Sequence, residues 1–495
     1  MQVFLDFIRM YRNIIFYVAV LSVFGIGTYF VLKLGGRLAP RQPVVEQRLE
    51  SAPAGLPSRQ PQAEASSTGL AGALRQNLRQ PLGILLLQVI VVMLAARIVG
   101  KLFLRIGQPA VIGEIVAGIL LGPSLLGMFF PGAQTLLFPA SSMGLLQVLS
   151  QAGVILFMFI VGMDLNLRHL RQQAHAALLV SHASIIVPFF LGVTLALFVY
   201  PWLAPPRISF SPFGLFIGVA MSITAFPVLA RIIAERELTH THLGSTAIAC
   251  AAVDDVTAWC ILAMIVALVR ADGVSAGLLT IALTLFFIGM MLFVVKRQAE
   301  RLAEKSLNAT SKTSVAGGLS FVFVSALCTE VIGIHALFGA FLAGVVMPAR
   351  GSLANFLRER LETLTSVILL PLFFAFTGLR TQIGLLDDWQ SWLMCIGIIA
   401  VAIAGKLGGS MLAARWTGMS WHESFSIGAL MNTRGLIELV VLNIGFELGI
   451  LSPKIFTMMV IMALTTTFMT GPLLSLAELP NRRRSILNAE AKIAA

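Results

Sequence analysis

Apolar segments of about 20 residues recur along nearly the whole chain, and they constrain its fold more than any other feature. A helix of that length spans the ~30 Å hydrocarbon core of a bilayer and pairs its own backbone polar groups there. Charged residues make up 12% of the chain and hydrophobic residues 57%, whereas soluble proteins carry roughly 25% charged residues. The sequence therefore predicts an all-α polytopic membrane protein and excludes a soluble enzyme.

One apolar run precedes Pro81 and thirteen follow it. The early run follows Arg9 and Arg12 and has no clear cleavage site after it, so residues 1–32 are predicted to form a signal-anchor helix. Residues 33–81 are rich in Pro, Gln, Ser, Ala and Arg, a composition that predicts a disordered linker. The later runs lie at 82–105, 110–127, 142–163, 174–200, 213–231, 242–270, 275–296, 313–330, 333–348, 362–380, 390–413, 422–447 and 453–478.

Lysine and arginine are distributed unevenly among the connections between these runs. With the C-terminus inside, the inside connections hold most of them, including Arg482, Arg483 and Arg484. Such a bias over short loops sets the orientation of a membrane protein. The tail, residues 479–495, is therefore predicted to be cytoplasmic and the linker extracytoplasmic. The net charge of +12 is explained by orientation, so no nucleic-acid site is predicted. The Ala-rich and Arg-rich composition suggests a bacterial inner membrane.

Two adjacent carboxylates, Asp254 and Asp255, lie at the centre of the sixth run. An ionisable residue at the middle of a bilayer costs a few kcal/mol or more, so by default it marks a transport pathway or pairs with another charge. Adjacent helical side chains point about 100° apart, so these carboxylates cannot share one proton face to face, but both can reach a cavity beside the helix. Carboxylate oxygens suit a hard cation. The alternative is that a basic partner neutralises each Asp for packing alone.

Two runs are interrupted near mid-depth. In the fifth run, Pro227 lacks an N–H donor and disfavours helical angles at Phe226, which predicts a break near Thr224. In the twelfth run, residues 431–435 (MNTRG) form a second irregularity. Non-helical backbone at this depth survives where it is buried in protein or lines a watery cavity, and there its carbonyls and half-helix ends can face an ion. A simple proline kink is the alternative for the fifth run.

The two interruptions occupy equivalent positions along the chain, because one lies a helix before the aspartate helix and the other a helix before the last. This spacing predicts two inverted six-helix repeats, residues 82–270 and 313–478, joined by a linker helix at 275–296. The transporter domain then covers residues 82–478, and its binding site lies where the two broken helices cross.

A lysine in the eleventh run, Lys406, is placed well inside a span and needs an anion. A carboxylate of the Asp254 and Asp255 pair is the predicted partner, and snorkelling of the lysine to the inner interface is the alternative. Arg434 and Glu438 stand four residues apart, a spacing that allows a local ion pair on one helix face. We interpret that pair as structural first. The four cysteines show no CxxC spacing, so no zinc site, disulfide or cofactor is predicted.

Six segments resemble the monovalent cation:proton antiporter family, especially its Kef-type and plant cation/H⁺ exchanger branch. They are PAVIGEIVAGILLGPSLLG (109–127), TAFPVLAR (224–231), DDVTAW (254–259), IGIHALFGAFLAG (332–344), PLFFAFTGLR (371–380) and NTRGLIEL (432–439). The resemblance implies a thirteen-helix cation/proton antiporter fold and a homodimer in which a core domain moves against a dimer domain. It also implies that Asp255 is the essential ion-binding acid.

Two further residues resemble the electrogenic, sodium-type members of that family. Asp254 falls at the first Asp of those members, where Kef-type members commonly have Gln, and Lys406 falls in the helix that holds their lysine. The end of the chain departs from the Kef pattern because it has no GxGxxG segment. No nucleotide-gating domain is therefore expected.

These features predict a secondary active antiporter in which Na⁺ or K⁺ and protons compete for a midplane site that opens alternately to each side. Transport is predicted to be electrogenic, and a sodium-coupled solute symporter on the same scaffold is the alternative. An ion channel is disfavoured because no repeated filter-like loop is visible. The predicted site residues are Asp254, Asp255 and Thr224 as ligands of the cation and proton, Lys406 as charge partner, and Pro227, Asn432, Thr433, Arg434 and Glu438 in the broken helices.

Overall fold

The computed structural model describes residues 2–40, 80–164, 174–238, 241–270, 274–305, 312–348 and 352–494, and these are almost entirely helical. Most of the predicted linker, residues 41–79, lies outside the described residues. The α-helices in the described ranges are α1 (Gln2–Gly35), α2 (Pro81–Arg105), α3 (Ala110–Leu121), α4 (Leu126–Phe129), α5 (Pro131–Leu137), α6 (Ala140–Asp164), α7 (Ala174–Leu203), α8 (Phe210–Ser222), α9 (Phe226–Glu235), α10 (His242–Arg270), α11 (Val274–Gly289), α12 (Lys296–Lys305), α13 (Lys312–Ile332), α14 (Ala336–Val346), α15 (Ser352–Leu364), α16 (Leu370–Arg380), α17 (Trp389–Ile403), α18 (Gly409–Trp416), α19 (Trp421–Met431), α20 (Leu436–Glu447) and α21 (Pro453–Ala494).

Three of these helices continue into the next through a π-helical turn, and one short 3-10 helix lies between α16 and α17. The π turns are Met290–Val295, Thr365–Leu369 and Ala404–Gly408, and the 3-10 helix is Ile383–Leu385. The last π turn contains Lys406. Such turns inside α-helices are frequent at functional sites.

Among the described residues, eleven helical stretches are long and apolar enough to cross a membrane. One is the N-terminal stretch Val18–Gly35, and the others correspond to ten of the thirteen predicted runs. The remaining three runs are the fifth and twelfth, which are interrupted, and the ninth, whose helix α14 has 11 residues. The exact count of thirteen crossings therefore stays a prediction, while the polytopic all-α architecture is observed.

Several boundaries differ from the sequence prediction, among them those of the N-terminal helix, the last helix and the fifth run. The N-terminal helix continues to Gly35, beyond the predicted end at residue 32. Helix α21 runs without interruption through the predicted tail, whose last ten residues are rich in the helix formers Ala, Leu, Glu and Lys. In the fifth run, Phe226 is already helical and Pro227 is the second residue of α9. A proline in the first turn costs no hydrogen bond because the first N–H groups of a helix have no intrahelical partner. Pro227 therefore begins a helix, and the break falls at residues 223–225.

The spans pack as two bundles connected by α11 and α12. The first bundle contains α2, α3, α6, α13, α14, α15 and α16, and the second contains α7 to α10 and α17 to α21. Helix α7 lies at the centre of the second bundle, where it packs against α8, α10 and α18. Each bundle takes half of its spans from each predicted repeat, which is in keeping with the predicted inverted-repeat architecture.

Glycines bring α3 and α16 into backbone contact in the first bundle. A Cβ atom on Gly118 would lie 2.0 Å from the carbonyl oxygen of Ala375, and one on Gly378 would lie 2.2 Å from that of Ile115. Small residues at a crossing let membrane helices approach closely, which is where much of their association energy arises.

A second glycine pair joins α6 and α14 in the same way. A Cβ atom on Gly162 would lie 2.2 Å from the carbonyl oxygen of Phe341, and one on Gly344 would lie 2.1 Å from that of Phe159. The predicted repeats relate α3 to α14 and α6 to α16, so the two crossings are counterparts of each other. This correspondence supports the inverted repeat.

The N-terminal helix packs on the second bundle. The rings of Phe24 in α1 and Phe190 in α7 meet edge to face with their centroids 5.2 Å apart. One turn on, a Cβ atom on Gly27 would lie 2.7 Å from the Phe190 ring. Val23 and Phe30, on another side of α1, are exposed as expected for contact with lipid.

We expect Gly118→Ala to destabilise the protein, because its Cβ would overlap the backbone of α16 and force the two helices apart. Overpacking of this kind costs typically ~1–3 kcal/mol. Gly144→Ala in α6 is the matched control, since nothing lies within 4 Å of its Cβ position. Thermal unfolding of the detergent-purified protein should show a lowered Tm for Gly118→Ala and an unchanged Tm for Gly144→Ala. Equal Tm values for the two variants would contradict the close crossing.

Candidate functional site

The two interrupted helices cross and are joined through their breaks. The Ala225 N–H donates to the Thr433 carbonyl oxygen over 3.0 Å, so the backbone of one break pairs with the backbone of the other. The Thr224 Oγ1 atom lies 3.2 Å from the Met431 carbonyl oxygen at the end of α19. The crossing that the sequence predicted from two separate irregularities is thus present.

Two cationic side chains bind the carbonyl groups at the end of α8. Arg434 donates from Nη1 to the Ala220 oxygen over 2.9 Å and from Nη2 to the Met221 oxygen over 2.7 Å. Lys406 Nζ donates to the Ser222 oxygen. The last carbonyls of a helix have no intrahelical partner and carry its negative end, so cations are the favourable partners there.

The side chain of Arg434 is held in turn from the other break. It pairs with Glu438, Nη1 to Oε1 at 3.1 Å, and both side chains are fully buried. Glu438 lies in the first turn of α20, where the positive helix end favours an acid. The Arg434 N–H donates to Thr467 Oγ1 over 3.1 Å, and that hydroxyl donates to the Arg434 carbonyl oxygen over 2.6 Å. These contacts fit the structural interpretation of the pair.

The Asp254 carboxylate is fully buried and accepts from four side chains. Ser181 Oγ donates to Oδ1 over 2.6 Å. Oδ2 accepts from Thr224 Oγ1 at 2.7 Å, Ser184 Oγ at 2.9 Å and Lys406 Nζ at 2.9 Å. Thr224 has one hydroxyl proton, which it can give either to Asp254 or to the carbonyl at the end of α19. This carboxylate is saturated with donors.

The Lys406 ammonium has four acceptors around it. Besides Asp254 Oδ2 and the Ser222 carbonyl oxygen, it donates to the carbonyl oxygen of Ser184 over 2.9 Å and to Ser184 Oγ over 2.8 Å. Its side chain is fully buried, as is that of Asp254. The lysine therefore pairs with a carboxylate of the predicted pair and does not snorkel to the interface.

The second carboxylate, Asp255, lies in a different environment. It is 2% exposed, and its Oδ1 atom has no hydrogen-bond partner within the described part of the chain. The Phe226 N–H at the start of α9 donates to the carboxylate. The positive end of a half-helix thus faces Asp255, while the negative end of α8 faces Lys406.

Asn432, in the second break, has two unpaired atoms. Its side chain is fully buried, and neither Oδ1 nor Nδ2 has a hydrogen-bond partner among the described residues. Its neighbour Thr433 places Oγ1 3.4 Å from Thr470 Oγ1 of α21. The side-chain amide of Asn432 therefore keeps both a donor and an acceptor available at the crossing, as far as the described residues go.

A small cavity lies between α3 of the first bundle and the crossing in the second. Its lining includes Val111, Ile115, Val228, Arg434 and Thr467. Asp254 and Asp255 are not among the lining residues, so this cavity is not one that both carboxylates reach. Both carboxylates are enclosed in protein in this conformation.

Sequence reasoning missed the two serines that hold Asp254. Ser181 and Ser184 lie in α7, one helix before the first break, and both are buried. Two signals could have indicated them: two small polar residues three apart in a mainly apolar run, and Pro188 four residues after Ser184. Among the predicted residues, Thr224 and Lys406 both contact Asp254.

A family model described as "Sodium/hydrogen exchanger, transmembrane" matches residues 75–477. The chain is 44% identical over 396 residues to the Na⁺/H⁺ antiporter NhaS4 of Synechocystis, covering 79% of this chain and 96% of that protein. It is 40% identical over 422 residues to cation/H⁺ antiporter 17 of Arabidopsis thaliana, covering 84% of this chain and 50% of that protein. It is also 33% identical over 410 residues to K⁺/H⁺ antiporter 1 of Saccharomyces cerevisiae, covering 81% of this chain and 47% of that protein. The chain thus spans about half the length of the plant and yeast relatives.

A solved structure has the same fold at low sequence identity. The sodium proton antiporter MjNhaP1 of Methanocaldococcus jannaschii at pH 8 aligns with a TM-score of 0.59 and 14% identity, covering 81% of this chain and 97% of that one. This similarity concerns the fold.

We expect Arg434→Met to destabilise the protein strongly, because it leaves Glu438 buried without its cation and two helix-end carbonyls without donors. Removing one partner of a buried ion pair costs ~3–5 kcal/mol. Glu438→Gln should cost less, since the amide still accepts a hydrogen bond. Thermal unfolding of both single variants and the double variant measures the coupling. Additive effects on Tm would show that the two side chains do not act as a pair.

Proposed function

Since the chain belongs to the sodium/hydrogen exchanger family of membrane transporters, we propose that it exchanges a monovalent cation, Na⁺ or K⁺, for protons across a membrane. The observation that carries the proposal is the pair of buried carboxylates beside two crossing half-helices. Asp254 is occupied by Lys406 and three hydroxyls, whereas Asp255 keeps an oxygen atom that has no partner among the residues the structure describes. Asp255 is therefore the carboxylate that is free to take either a cation or a proton.

Competition for the carboxylates supplies the coupling in this proposal. A cation and a proton each neutralise Asp255, so binding of one expels the other. Carboxylate, amide and hydroxyl oxygens suit hard cations. Asn432 offers a second unpaired oxygen at the same crossing, and Thr224 offers a hydroxyl already beside Asp254. The transported ions are substrates, and no cofactor is needed.

Lys406 makes the exchange electrogenic in this proposal. A cation that reaches Asp254 and Asp255 takes the place of the lysine, which then loses its proton together with that of Asp255. Two protons move for one monovalent cation, and one net charge crosses per cycle. About 2.3 kcal/mol per 100 mV of membrane potential then becomes available to drive the cation.

The two bundles supply the alternation, with the second moving against the first. At the predicted outer end, a polar cluster joins them. Arg380 of α16 donates to Asn443 over 2.9 Å and to Glu447 over 3.1 Å, both in α20. Gln147 and Gln151 of α6 donate to the same Glu447 carboxylate over 3.0 and 2.9 Å. In the proposed cycle this cluster closes the outer path and separates when the site opens outward.

The proposed molecule is a homodimer with a cytoplasmic C-terminus. Residues 1–32 serve as an anchor, residues 33–81 as an extracytoplasmic linker, and residues 82–478 as the transporter domain with repeats at 82–270 and 313–478. The Synechocystis relative is in keeping with a bacterial membrane. The symporter alternative has no support, because the relatives are named as antiporters.

We expect Asp255→Asn to abolish exchange without unfolding the protein, since it keeps the size of the side chain and removes the charge that both substrates need. The measurement is proton efflux from proteoliposomes, reported by an internal pH dye, on addition of NaCl, KCl or choline chloride. Asp387→Asn is the matched control, because that carboxylate is 78% exposed in a loop. Cation-driven proton movement in Asp255→Asn near the wild-type rate would reject this site.

We expect Lys406→Gln to remove the voltage dependence of exchange, because the lysine carries the second proton. Exchange is measured in proteoliposomes with the potassium diffusion potential set to zero or inside-negative, using Na⁺ as substrate. The exchange rate of the wild type should change with the potential. In Lys406→Gln, any residual neutral exchange through Asp255 should have a rate that does not change with the potential. Wild-type rates that ignore the potential would reject the electrogenic cycle and leave Lys406 as a structural partner of Asp254.

A further inference from the structure

Helix α7 contains a proline in its interior, Pro188, within the bundle that holds the candidate site. In an α-helix the N–H of each residue donates to the carbonyl four residues earlier, and proline has no N–H to donate. The carbonyl that Pro188 leaves unpaired is that of Ser184. A backbone carbonyl without a partner inside a membrane costs several kcal/mol, so another donor must reach it.

That donor is the ammonium group of Lys406, which lies 2.9 Å from the Ser184 carbonyl oxygen. The hydroxyl of the same serine lies 2.8 Å from Nζ and donates to Asp254 Oδ2 over 2.9 Å. Ser184 thus supplies two of the four acceptors around the lysine, and one of them exists because residue 188 is proline.

The proline also seats the backbone that carries the lysine. A Cβ atom on Gly405 would lie 2.9 Å from Pro188 Cα and 3.0 Å from Pro188 Cβ, so this turn of backbone rests directly on the proline. Gly405 and Lys406 both belong to the π turn Ala404–Gly408. The proline therefore contacts the residue next to Lys406 and frees the carbonyl that Lys406 binds.

We propose that Pro188 is a positioning residue for cation exchange: it sets how firmly Lys406 is held against Asp254, and so how readily a cation displaces the lysine. This proposal rests on the proposed function. An alanine at position 188 restores the N–H to the Ser184 carbonyl and removes the ring without adding volume. With one acceptor drawn back into the helix, the lysine is held less firmly. The cation then competes better for the carboxylates.

The test measures apparent KM for Na⁺ or K⁺, whichever the wild-type protein exchanges, in proteoliposomes. Pro188→Ala should lower the apparent KM about tenfold, the effect of one lost hydrogen bond to a charged group, while kcat changes less. Pro201→Ala is the matched control, since Pro201 lies in the same helix and frees the Leu197 carbonyl, which is not among the acceptors of Lys406. Its KM should equal that of the wild type.

A second background separates positioning from a general effect of helix straightening. In Lys406→Gln protein, Pro188→Ala should leave the KM unchanged, because the ammonium group that the proline positions is absent. The same KM shift in both backgrounds, or an unshifted KM in Pro188→Ala alone, would overturn the proposal. Pro188→Ser restores the same N–H and serves if the alanine variant does not fold. Absence of exchange in the wild type would instead reject the proposed function.

Discussion

The ion pair between Lys406 and Asp254 is the interaction on which the second bundle depends. Two charges withdrawn from water cost several kcal/mol each unless every remaining lone pair and proton is satisfied. One helix, one helix break and one helix end meet this requirement, through the serines of α7, the threonine of the first break and the last carbonyl of α8. The break in the fifth run leaves the carbonyl groups at the end of α8 without helical partners. It is tolerated because Lys406 and Arg434 donate to those carbonyl groups.

The two adjacent aspartates are given different environments by the same helix. One turns toward α7 and the lysine, and the other toward the start of α9, because neighbouring helical side chains diverge by about 100°. Four donors hold Asp254, while Asp255 retains an unpaired oxygen among the described residues. In the exchange that we propose, the saturated carboxylate of Asp254 keeps the counter-charge in place, and the carboxylate of Asp255 is available to a mobile ion.

The fold class, both helix breaks and the pairing of Lys406 with one of the two aspartates were predictable from sequence, because charge and proline at mid-depth violate the rules of the bilayer. The serines of α7 were not, since small hydroxyl residues are common in membrane helices and carry no charge to mark them. The contacts of Arg434 with Ala220 and Met221 join residues more than 200 positions apart, and spacing on one helix indicates the local partner Glu438 instead. The break near Thr224 was predicted correctly, but the non-helical conformation expected at Phe226 was wrong, because a proline in the first turn of a helix and one that kinks a helix look alike in sequence.

The glycine crossings make the first bundle stiff. Backbones in direct contact have no side chains to repack, so each crossing is a stiff joint. Helices α3 and α6 are predicted to run in opposite directions, and their crossing glycines, Gly118 and Gly162, both lie near their C-terminal ends, so the two joints lie toward opposite faces of the membrane. Two short segments that contribute to these joints, FMFIVG (157–162) and FFAFTG (373–378), both begin with Phe and end with the crossing glycine. With one joint toward each face, the helices of the first bundle are held against sliding past one another, and the bundle is a rigid frame.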